Sequence, residues 1–461
     1  MKDAKQKPPV QKGDKITVEI HGLGHSGEGV ARLDGYTLFI EGALQGEQVT
    51  AKVKEVKKSY GRAQLLEVLE AAPERIAPPC PVYQACGGCQ LQHLSYEGQL
   101  AAKYETVRAA LERIGKLAGV TIQPVLPSPE SWHYRNKMLL PIGRRGRHLI
   151  AGCYAQGSHE IVPMEACLIQ HEANNRIAAA VAAVATELRI KAYEEATGEG
   201  SLRYAMGRVG VATDEVMVVV VTATEELPEQ EAFIKGLQER IPGLVSILQN
   251  VNSRKTNVML GPKNKLLWGK EYIEDKLGNL TFQISPHSFF QVNTKQAVRL
   301  YETALKYADL QGEETVIDAY CGTGTISLFL AQQAKKVYGI EVVAPAIADA
   351  KKNAADNKID NVEFLVGDAT DVMPKLYRDG LRPDVVVVDP PRAGCSTEVL
   401  DTFVRMEPNR IVYVSCNPAS LARDLGYLAE EGYEAKEIQP VDMFPMTYHV
   451  ECVALIQRRT T

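Results

Sequence analysis

The first residue that could do chemistry is a cysteine at the end of an apolar run. Cys416 follows the β-branched run I-V-Y-V-S and precedes Asn-Pro. The run predicts a buried strand of a parallel sheet, and Asn-Pro predicts the end of that strand. Open α/β sheets bind ligands at the carboxyl ends of their strands. A thiol placed there is either a nucleophile or a small, unreactive core residue, and other motifs must decide between the two.

Acidic residues close three strands that precede this cysteine. The segment D-A-Y-C-G-T-G-T predicts a strand, a glycine turn and a helix, and Glu341, Asp368 and Asp389 end the next three strands. These acids should face one crevice, and Glu341 lies about 20 residues after the turn, where an acid can bind two ribose hydroxyls. Three acids without a phosphate-binding lysine indicate a neutral or cationic nucleoside cofactor. S-adenosylmethionine fits this description.

The turn after the fourth strand limits which methyl acceptors are possible. Asp389 is followed by Pro-Pro-Arg. In many methyltransferases that act on exocyclic amines, the residue after the two prolines is aromatic and holds the planar amine. Arg392 occupies this position here, which argues against amine methylation. The cysteine that ends the fifth strand argues for a different reaction.

A second set of cysteines has the spacing of metal ligands. Cys80, Cys86 and Cys89 form a C-x5-C-x2-C pattern, in which two glycines allow a tight turn between the last two. A four-ligand site needs one more thiolate, for which Cys167 is the candidate and Cys153 its rival. Such a site would hold an iron–sulfur cluster or structural zinc. The remaining alternative is that these cysteines bind no metal.

Three regions must position these groups. Residues 8–70 consist of short alternating segments punctuated by glycines, which predict a five-stranded barrel of the OB kind, a fold that often holds RNA. Residues 71–275 predict a mixed α+β domain with the cysteine site and a helix at about 94–117 that packs on the catalytic domain. Residues 276–461 alternate strands and helices, which predicts a doubly wound parallel α/β sheet.

Composition limits the class of protein. The 461 residues contain no apolar run of membrane-spanning length, and the N-terminus lacks the hydrophobic segment of a secretory signal, so we expect a cytoplasmic protein without membrane contact. The net charge of −5 gives no global sign of nucleic acid, so RNA binding must come from local basic groups. Such groups are Lys52, Lys54, Lys57, Lys58 and Arg62 beside Tyr60, and Arg135, Lys137, Arg144, Arg145 and Arg147.

Each basic group has two interpretations. Tyr60 could stack on a base while its lysine neighbours meet phosphates, and the second group could also bind phosphates. Both could equally be solvated charged surfaces. The sequence leaves these alternatives open.

Taken together, the motifs resemble the RNA uracil-5 methyltransferase family, most closely the branch that methylates 23S ribosomal RNA. The resemblance covers nearly the whole chain, and no element of the pattern is missing. In chain order it rests on a barrel like the TRAM domain of that family, C-x5-C-x2-C, F-F-Q-V-N, D-A-Y-C-G-T-G-T, D-P-P-R, S-C-N-P and H-V-E.

The resemblance implies a role for each site residue. Cys416 would add to carbon 6 of a flipped-out uracil, and Glu451, otherwise a surface acid on the last strand, would remove the proton from carbon 5. Cys321, Cys395 and Cys452 would be packing residues. The implied S-adenosylmethionine site comprises Gln291, Tyr320, Thr325, Glu341, Asp368 and Asp389. The implied ligands of a 4Fe-4S cluster are Cys80, Cys86, Cys89 and Cys167.

Several functions remain in competition. The expected substrate is 23S rRNA, with tRNA as the alternative, and we expect a monomer. Methyl transfer requires no electron, so the cluster would be a structural or RNA-facing element. A different class would be an iron–sulfur protein that binds RNA or senses redox state, with a vestigial methyltransferase domain. The presence of the nucleophile, the base and the cofactor positions together argues against that class.

Overall fold

The computed structural model describes residues 7–459, and the chain in that range forms three sheets and one hairpin. The first sheet is a closed barrel with strand order β1-β2-β3-β5-β4, which confirms the predicted five-stranded barrel. Ile20, Leu38 and Ile40 fill its interior, because alternate residues of a strand point to the same face. Its strands are β1 (Lys15–Leu23), β2 (Gly29–Leu33), β3 (Tyr36–Glu41), β4 (Gln48–Val56) and β5 (Tyr60–Glu70).

The second, central sheet has seven strands in the order β13-β12-β11-β10-β7-β8-β9. Its strand β11 is buried throughout, since α2 and α3 cover one face of the sheet and the catalytic core covers the other. The elements are β7 (Lys137–Arg145), β8 (His148–Tyr154), β9 (Ile161–Pro163), α2 (Glu172–Glu187), β10 (Leu202–Val209), β11 (Val216–Thr222), α3 (Gln230–Arg240), β12 (Leu244–Val251) and β13 (Lys263–Gly269).

The third, catalytic sheet has eight strands in the order β18-β17-β16-β19-β20-β22-β21-β6. Its first five members in that order run parallel, whereas β22 is antiparallel to both of its neighbours. Helices cover both faces, so the predicted α/β fold is confirmed. The elements are α4 (Thr294–Ala308), β16 (Thr315–Ala319), α5 (Thr325–Ala331), β17 (Lys336–Glu341), α6 (Ala344–Asp356), β18 (Val362–Val366), α7 (Ala369–Arg378), β19 (Val385–Val388), α8 (Thr397–Met406), β20 (Arg410–Ser415), α9 (Pro418–Glu430), β21 (Tyr433–Val441) and β22 (Glu451–Arg458).

A helix connects the middle of the chain to the catalytic sheet. Ser95 Oγ caps α1 (Tyr96–Ala110), and the π-helical turn Leu111–Gly115 continues that helix. Both pack against α9, and the short strand β6 (Thr121–Ile122) then pairs with β21. The chain therefore returns to the catalytic sheet within its middle segment. The domain boundaries at residues 70 and 275 stay predictions.

One continuous core joins the central and catalytic sheets. The hairpin of β14 (Ile273–Leu277) and β15 (Leu280–Ile284) contributes Phe282 to the core that also contains Met206 and Leu248 of the central sheet. Among the helices of residues 7–459, none is both long and apolar enough to cross a membrane.

Candidate active site

The carboxyl edge of the catalytic sheet brings the predicted nucleophile and base together. The antiparallel register of β20 and β22 pairs Ser415 with Cys452. Cys416, the next residue after β20, therefore lies opposite Glu451, the first residue of β22. Asp389 follows the neighbouring strand β19 and is close enough to affect the pKa of both side chains. The thiol and the two carboxyls thus form one group.

Burial changes the acid–base properties of this group. Glu451 is only 4% exposed, and burial raises its pKa to about 8, with a further contribution from the charge of Asp389. Burial also raises the pKa of Asp389 to about 7 and that of the half-buried Cys416 thiol to about 11. Arg392 opposes the shifts at Cys416 and Glu451, since a cation favours both thiolate and carboxylate. Glu451 can therefore take or release a proton near neutral pH.

The thiol lines an open cleft of about 800 Å³ between the barrel, α1 and the catalytic sheet. Arg392, Tyr448 and His449 lie on the catalytic side of this cleft with Cys416. Burial, and then repulsion from Arg392, lower the pKa of His449 to about 4, so its ring is neutral at pH 7. A substrate in the cleft can contact the thiol and the barrel together. The barrel side includes His21, His25, Arg32, Phe39 and Gln45.

The glycine turn lies beside the acid that ends β17. Gly322 N donates to Glu341 Oε2 at 3.2 Å, and Val343 N donates to Glu341 Oε1 at 2.9 Å. Gly324 has a φ of +81°, and a Cβ atom there would lie 2.8 Å from Cζ of Phe364. The turn therefore requires glycine at this position for both its backbone conformation and its packing.

A buried tyrosine lies between predicted cofactor residues and the group formed by Cys416, Glu451 and Asp389. The hydroxyl of Tyr301, on α4, lies 3.4 Å from Thr325 Oγ1 and is also close to the side chain of Gln291. Burial, and then the charges of Asp389 and Glu451, raise the pKa of this phenol. Sequence analysis missed Tyr301, because its place in the apolar stripe of α4 is typical of a core residue.

Two other predicted cofactor residues lie at strand ends on the same edge. Tyr320 is half-buried directly after β16 and has a left-handed φ of +70°. Asp368 is exposed and caps α7, since its Oδ1 accepts hydrogen bonds from Thr370 N at 2.9 Å and Thr370 Oγ1 at 2.7 Å. These bonds lower the pKa of Asp368. One carboxylate oxygen of Asp368 therefore caps the N-terminus of α7.

Comparisons with known proteins show which family the chain belongs to. The family model for tRNA (Uracil-5-)-methyltransferase matches residues 95–459, and the TRAM domain model matches residues 9–66. The chain belongs to the tRNA (uracil-5-)-methyltransferase family. The family predicted from the sequence motifs is confirmed.

Individual members of this family are similar over the full length. A protein of Halalkalibacterium halodurans described as an uncharacterized RNA methyltransferase is 53% identical over 454 residues, which cover 98% of this chain and 99% of the relative. A similarly described protein of Bacillus cereus is 51% identical over 453 residues, with 98% and 99% covered. The crystal structure of Pyrococcus abyssi tRNA (uracil-54, C5)-methyltransferase with S-adenosyl-L-homocysteine is 30% identical, with a TM-score of 0.78 over 96% of this chain and 100% of that chain. The protein is an S-adenosylmethionine-dependent RNA methyltransferase.

The predicted metal ligands of this family member line a separate cavity of about 470 Å³. Cys80, Cys86, Cys89, Cys167 and the rival Cys153 are half-buried free thiols around this space. Five thiols fit the donor chemistry of an iron–sulfur cluster or of zinc. Within residues 7–459, however, no three His, Cys, Asp or Glu side chains are arranged so that they could hold a metal ion. The ligand set therefore stays a prediction.

The remaining cysteines and the basic groups have different environments. Cys321, Cys395 and Cys452 are buried in the two hydrophobic cores of the catalytic sheet. In the barrel, Lys57 forms a 2.7 Å salt bridge with Glu55. The basic residues of the central sheet differ in exposure. Arg144, Arg145 and Arg147, at the turn between β7 and β8, are exposed, whereas two other members of the group are half-buried. These two are Arg135 and Lys137.

Proposed function

We propose that the protein methylates carbon 5 of uridine in 23S rRNA through a covalent bond between Cys416 and carbon 6 of the uracil. The observation that carries this proposal is the position of Cys416 opposite Glu451 at the edge of an open cleft. The chemistry needs one nucleophile and one base near the same ring. The target uridine must leave its base stack so that the thiolate can reach carbon 6.

The reaction begins with activation of the ring by this chain. Carbon 5 of uracil is a weak nucleophile until Cys416 Sγ adds to carbon 6, which moves the ring electrons onto the neighbouring carbonyl as an enolate. Bound S-adenosylmethionine supplies the electrophilic methyl group. Glu451 then accepts the proton of carbon 5. The electrons of that C–H bond restore the ring double bond as Cys416 leaves as a thiolate.

The acid–base state of the group supports this sequence of events. The charges of Glu451 and Asp389 oppose ionisation of Cys416, whereas Arg392 favours it. The pKa values of about 8 for Glu451 and about 7 for Asp389 mean that a carboxyl of the group holds a proton much of the time near neutral pH. A proton held on a carboxyl removes part of the opposition to the thiolate.

The proposed cofactor site uses the carboxyl edge of the sheet. Glu341 suits the ribose hydroxyls, because a carboxylate has about four acceptor positions and two backbone N–H groups occupy only two of them. Glu341→Gln should therefore weaken binding of S-adenosylmethionine in calorimetric titration. An unchanged affinity would remove Glu341 from the site. The proposed set is Gln291, Tyr320, Thr325, Glu341, Asp368 and Asp389.

The covalent step is tested with RNA that contains 5-fluorouridine. Glu451 cannot remove fluorine from carbon 5, so incubation with S-adenosylmethionine should trap a protein–RNA adduct that survives denaturation. Cys416→Ala should form no adduct, and Cys395→Ala, which removes a thiol buried in the core, should still form it. Without an adduct in the wild-type protein, the vestigial-domain alternative would be favoured.

The choice of substrate rests on the resemblance of the motifs to the branch that acts on 23S rRNA. tRNA is the second candidate, because the solved relative with a TM-score of 0.78 is a tRNA methyltransferase. Mapping of 5-methyluridine in ribosomal and transfer RNA, from cells with and without this protein, separates the two. Loss of the modification from tRNA alone would contradict the rRNA proposal. We expect the protein to act as a cytoplasmic monomer, which light scattering tests.

We propose that the cysteine cavity holds a 4Fe-4S cluster through Cys80, Cys86, Cys89 and Cys167. The donor chemistry of these thiols and their common cavity support the proposal. Protein purified without oxygen should be brown and should contain about four iron atoms per chain. Cys167→Ala should lose the colour, whereas Cys153→Ala should keep it. A colourless protein that contains zinc would replace this proposal with a structural zinc site.

A further inference from the structure

Two cations face one another across strands of the central sheet. Lys137 on β7 and Arg208 on β10 are direct antiparallel partners, so their side chains lie on the same face of the sheet. Arg135 lies close enough to lower the pKa of Lys137. Within the described part of the chain, none of these three side chains forms a salt bridge. We call Arg135, Lys137 and Arg208 the cationic strip.

Among residues 7–459, no carboxylate forms a salt bridge with the positive charges of the strip. Arg208 is only 3% exposed, and no residue in the range 7–459 accepts a hydrogen bond from its Nε. Burial, and then the charges of Arg208 and Arg135, lower the pKa of Lys137 to about 8. Like charges directly opposite one another on a sheet are destabilising. An anion beside the half-buried Arg135 and Lys137 would relieve this repulsion.

The strip extends away from the catalytic cleft. At one end, Arg135 is close enough to affect the pKa of His449, which lines the cleft. At the other end, Arg208 Nη2 donates to Pro286 O at 3.3 Å and also to Ser288 O, both in the loop between β15 and α4. His287 of that loop is exposed. Partial burial of its ring, and then the charges of Lys137 and Arg208, lower its pKa. The same loop presents Phe289, which is 67% exposed.

We propose that Arg135 and Lys137 of the cationic strip bind the phosphodiester backbone of the RNA that flanks the target uridine, while the buried Arg208 adds its positive charge behind them. The proposal rests on the proposed function, because it places the flanking nucleotides between the cleft of Cys416 and the exposed ring of Phe289. Phosphate oxygens match the donors present, since a guanidinium binds them through two N–H groups and an ammonium binds them as a point charge. The exposed aromatic ring offers a surface on which a base can stack.

Salt dependence of binding tests this proposal. We would measure the affinity for a transcript of 23S rRNA at increasing potassium chloride, without S-adenosylmethionine so that no methyl transfer occurs. Lys137→Gln should bind more weakly and should reduce the slope of log K against log salt by about 0.7, the value for one phosphate contact to a single strand. Lys137→Arg should keep the wild-type slope. Lys235→Gln, which removes an exposed lysine on the far helix α3, should also keep it.

The outcomes distinguish this proposal from its alternatives. A wild-type slope for Lys137→Gln, or an equal change for Lys235→Gln, would overturn it. Lys137 also lines the cysteine cavity, so loss of iron from Lys137→Gln with an unchanged slope would assign the strip to that cavity instead. Replacing chloride by inorganic phosphate at equal ionic strength should leave the RNA affinity unchanged. If phosphate weakens RNA binding by the wild type but not by Lys137→Gln, the strip is a site for free phosphate and the proposal is overturned.

Failure of the proposed function gives a different result. If the RNA binds with the predicted salt slopes but no 5-fluorouridine adduct forms, the RNA-binding role of the strip is supported and the covalent mechanism is contradicted. If the adduct forms while the slopes are unchanged, the mechanism stands and the strip proposal falls. Melting curves of Lys137→Gln and the wild type show whether the variant is folded under the binding conditions.

Discussion

Lys103 Nζ donates a hydrogen bond to Asp442 Oδ1 in the interior, where the two side chains are 1% and 0% exposed. Lys103 lies on α1, and Asp442 begins the loop that leads to Glu451. A second contact also attaches this loop to α1, because Met446 N in the loop donates to Gln99 Oε1 of α1 at 2.9 Å. The helix that joins the middle of the chain to the catalytic sheet therefore positions the segment before the proposed base.

Breaking this ion pair should lower stability strongly. Lys103→Met leaves Asp442 buried without its partner, and we expect the free energy of unfolding in urea to fall by about 3–5 kcal/mol. The double change Lys103→Met with Asp442→Leu should recover most of this loss, because no charge is then left buried. Arg108→Ala, which breaks exposed pairs with Glu105 at 2.6 Å and Glu112 at 2.8 Å, should change stability far less, because water screens charges on the surface.

The double variant also tests whether the pair of Lys103 and Asp442 positions the loop before Glu451. We expect it to be folded but slower in methyl transfer, because the loop before Glu451 has lost its ionic attachment to α1. The reduction should appear in kcat rather than in KM, since no group in the RNA cleft has changed. An unchanged kcat would contradict a positioning role for this pair.

Methyl transfer should increase with pH. Burial raises the pKa of Glu451 to about 8, and the base must be ionised before it can accept the proton of carbon 5. We therefore expect kcat to rise as the pH passes through about 8, where Glu451 ionises. Glu451→Gln should lose this rising limb and reduce the rate by roughly 10²- to 10⁴-fold. Cys416 should still add to the ring in this variant, so the adduct should accumulate on ordinary RNA.

The same carboxyl should make stability depend on pH. The pKa of Glu451 is about 8 in the folded protein, above its ordinary value of 4.5, so folding favours the protonated form. The stability that this group contributes is complete below pH 4.5 and is lost as the pH rises through about 8. Glu451→Gln should therefore gain in Tm relative to the wild type as the pH rises through this window. Glu434→Gln, on the exposed surface of β21, should follow the wild type.

The glycine turn should not tolerate a side chain at Gly324. A Cβ atom there would lie 2.8 Å from Phe364 and 3.1 Å from Ala350, in addition to the left-handed backbone. We expect Gly324→Ala to cost about 1–3 kcal/mol for the overlap and about 1–2 kcal/mol for the backbone, measured by urea unfolding. Gly312→Ala isolates the backbone cost, since Gly312 has a φ of +96° and no atom within 4 Å of the added carbon. Equal losses in both variants would contradict the overlap.

Local sequence patterns predicted the strands that carry the site. Asp389 and Cys416 each follow an apolar, β-branched run, and such a run specifies a buried strand whichever partners it has. The glycines before α5 were recognisable for the same reason, because the turn they form involves only neighbouring residues. The pattern around Asp368 predicts its position at a strand end but not its hydrogen bonds to Thr370.

Tertiary packing decided which of these groups meet. Glu451 lies opposite Cys416 only because β22 inserts antiparallel between β20 and β21, and Tyr301 reaches the catalytic group only because α4 packs beside these strands. The pairing of Lys103 with Asp442 joins residues 339 positions apart. A local pattern reflects the preferences of residues within a few positions, so it determines strand ends and turns. Register and burial depend on contacts between distant segments, and those contacts exist only in the folded chain.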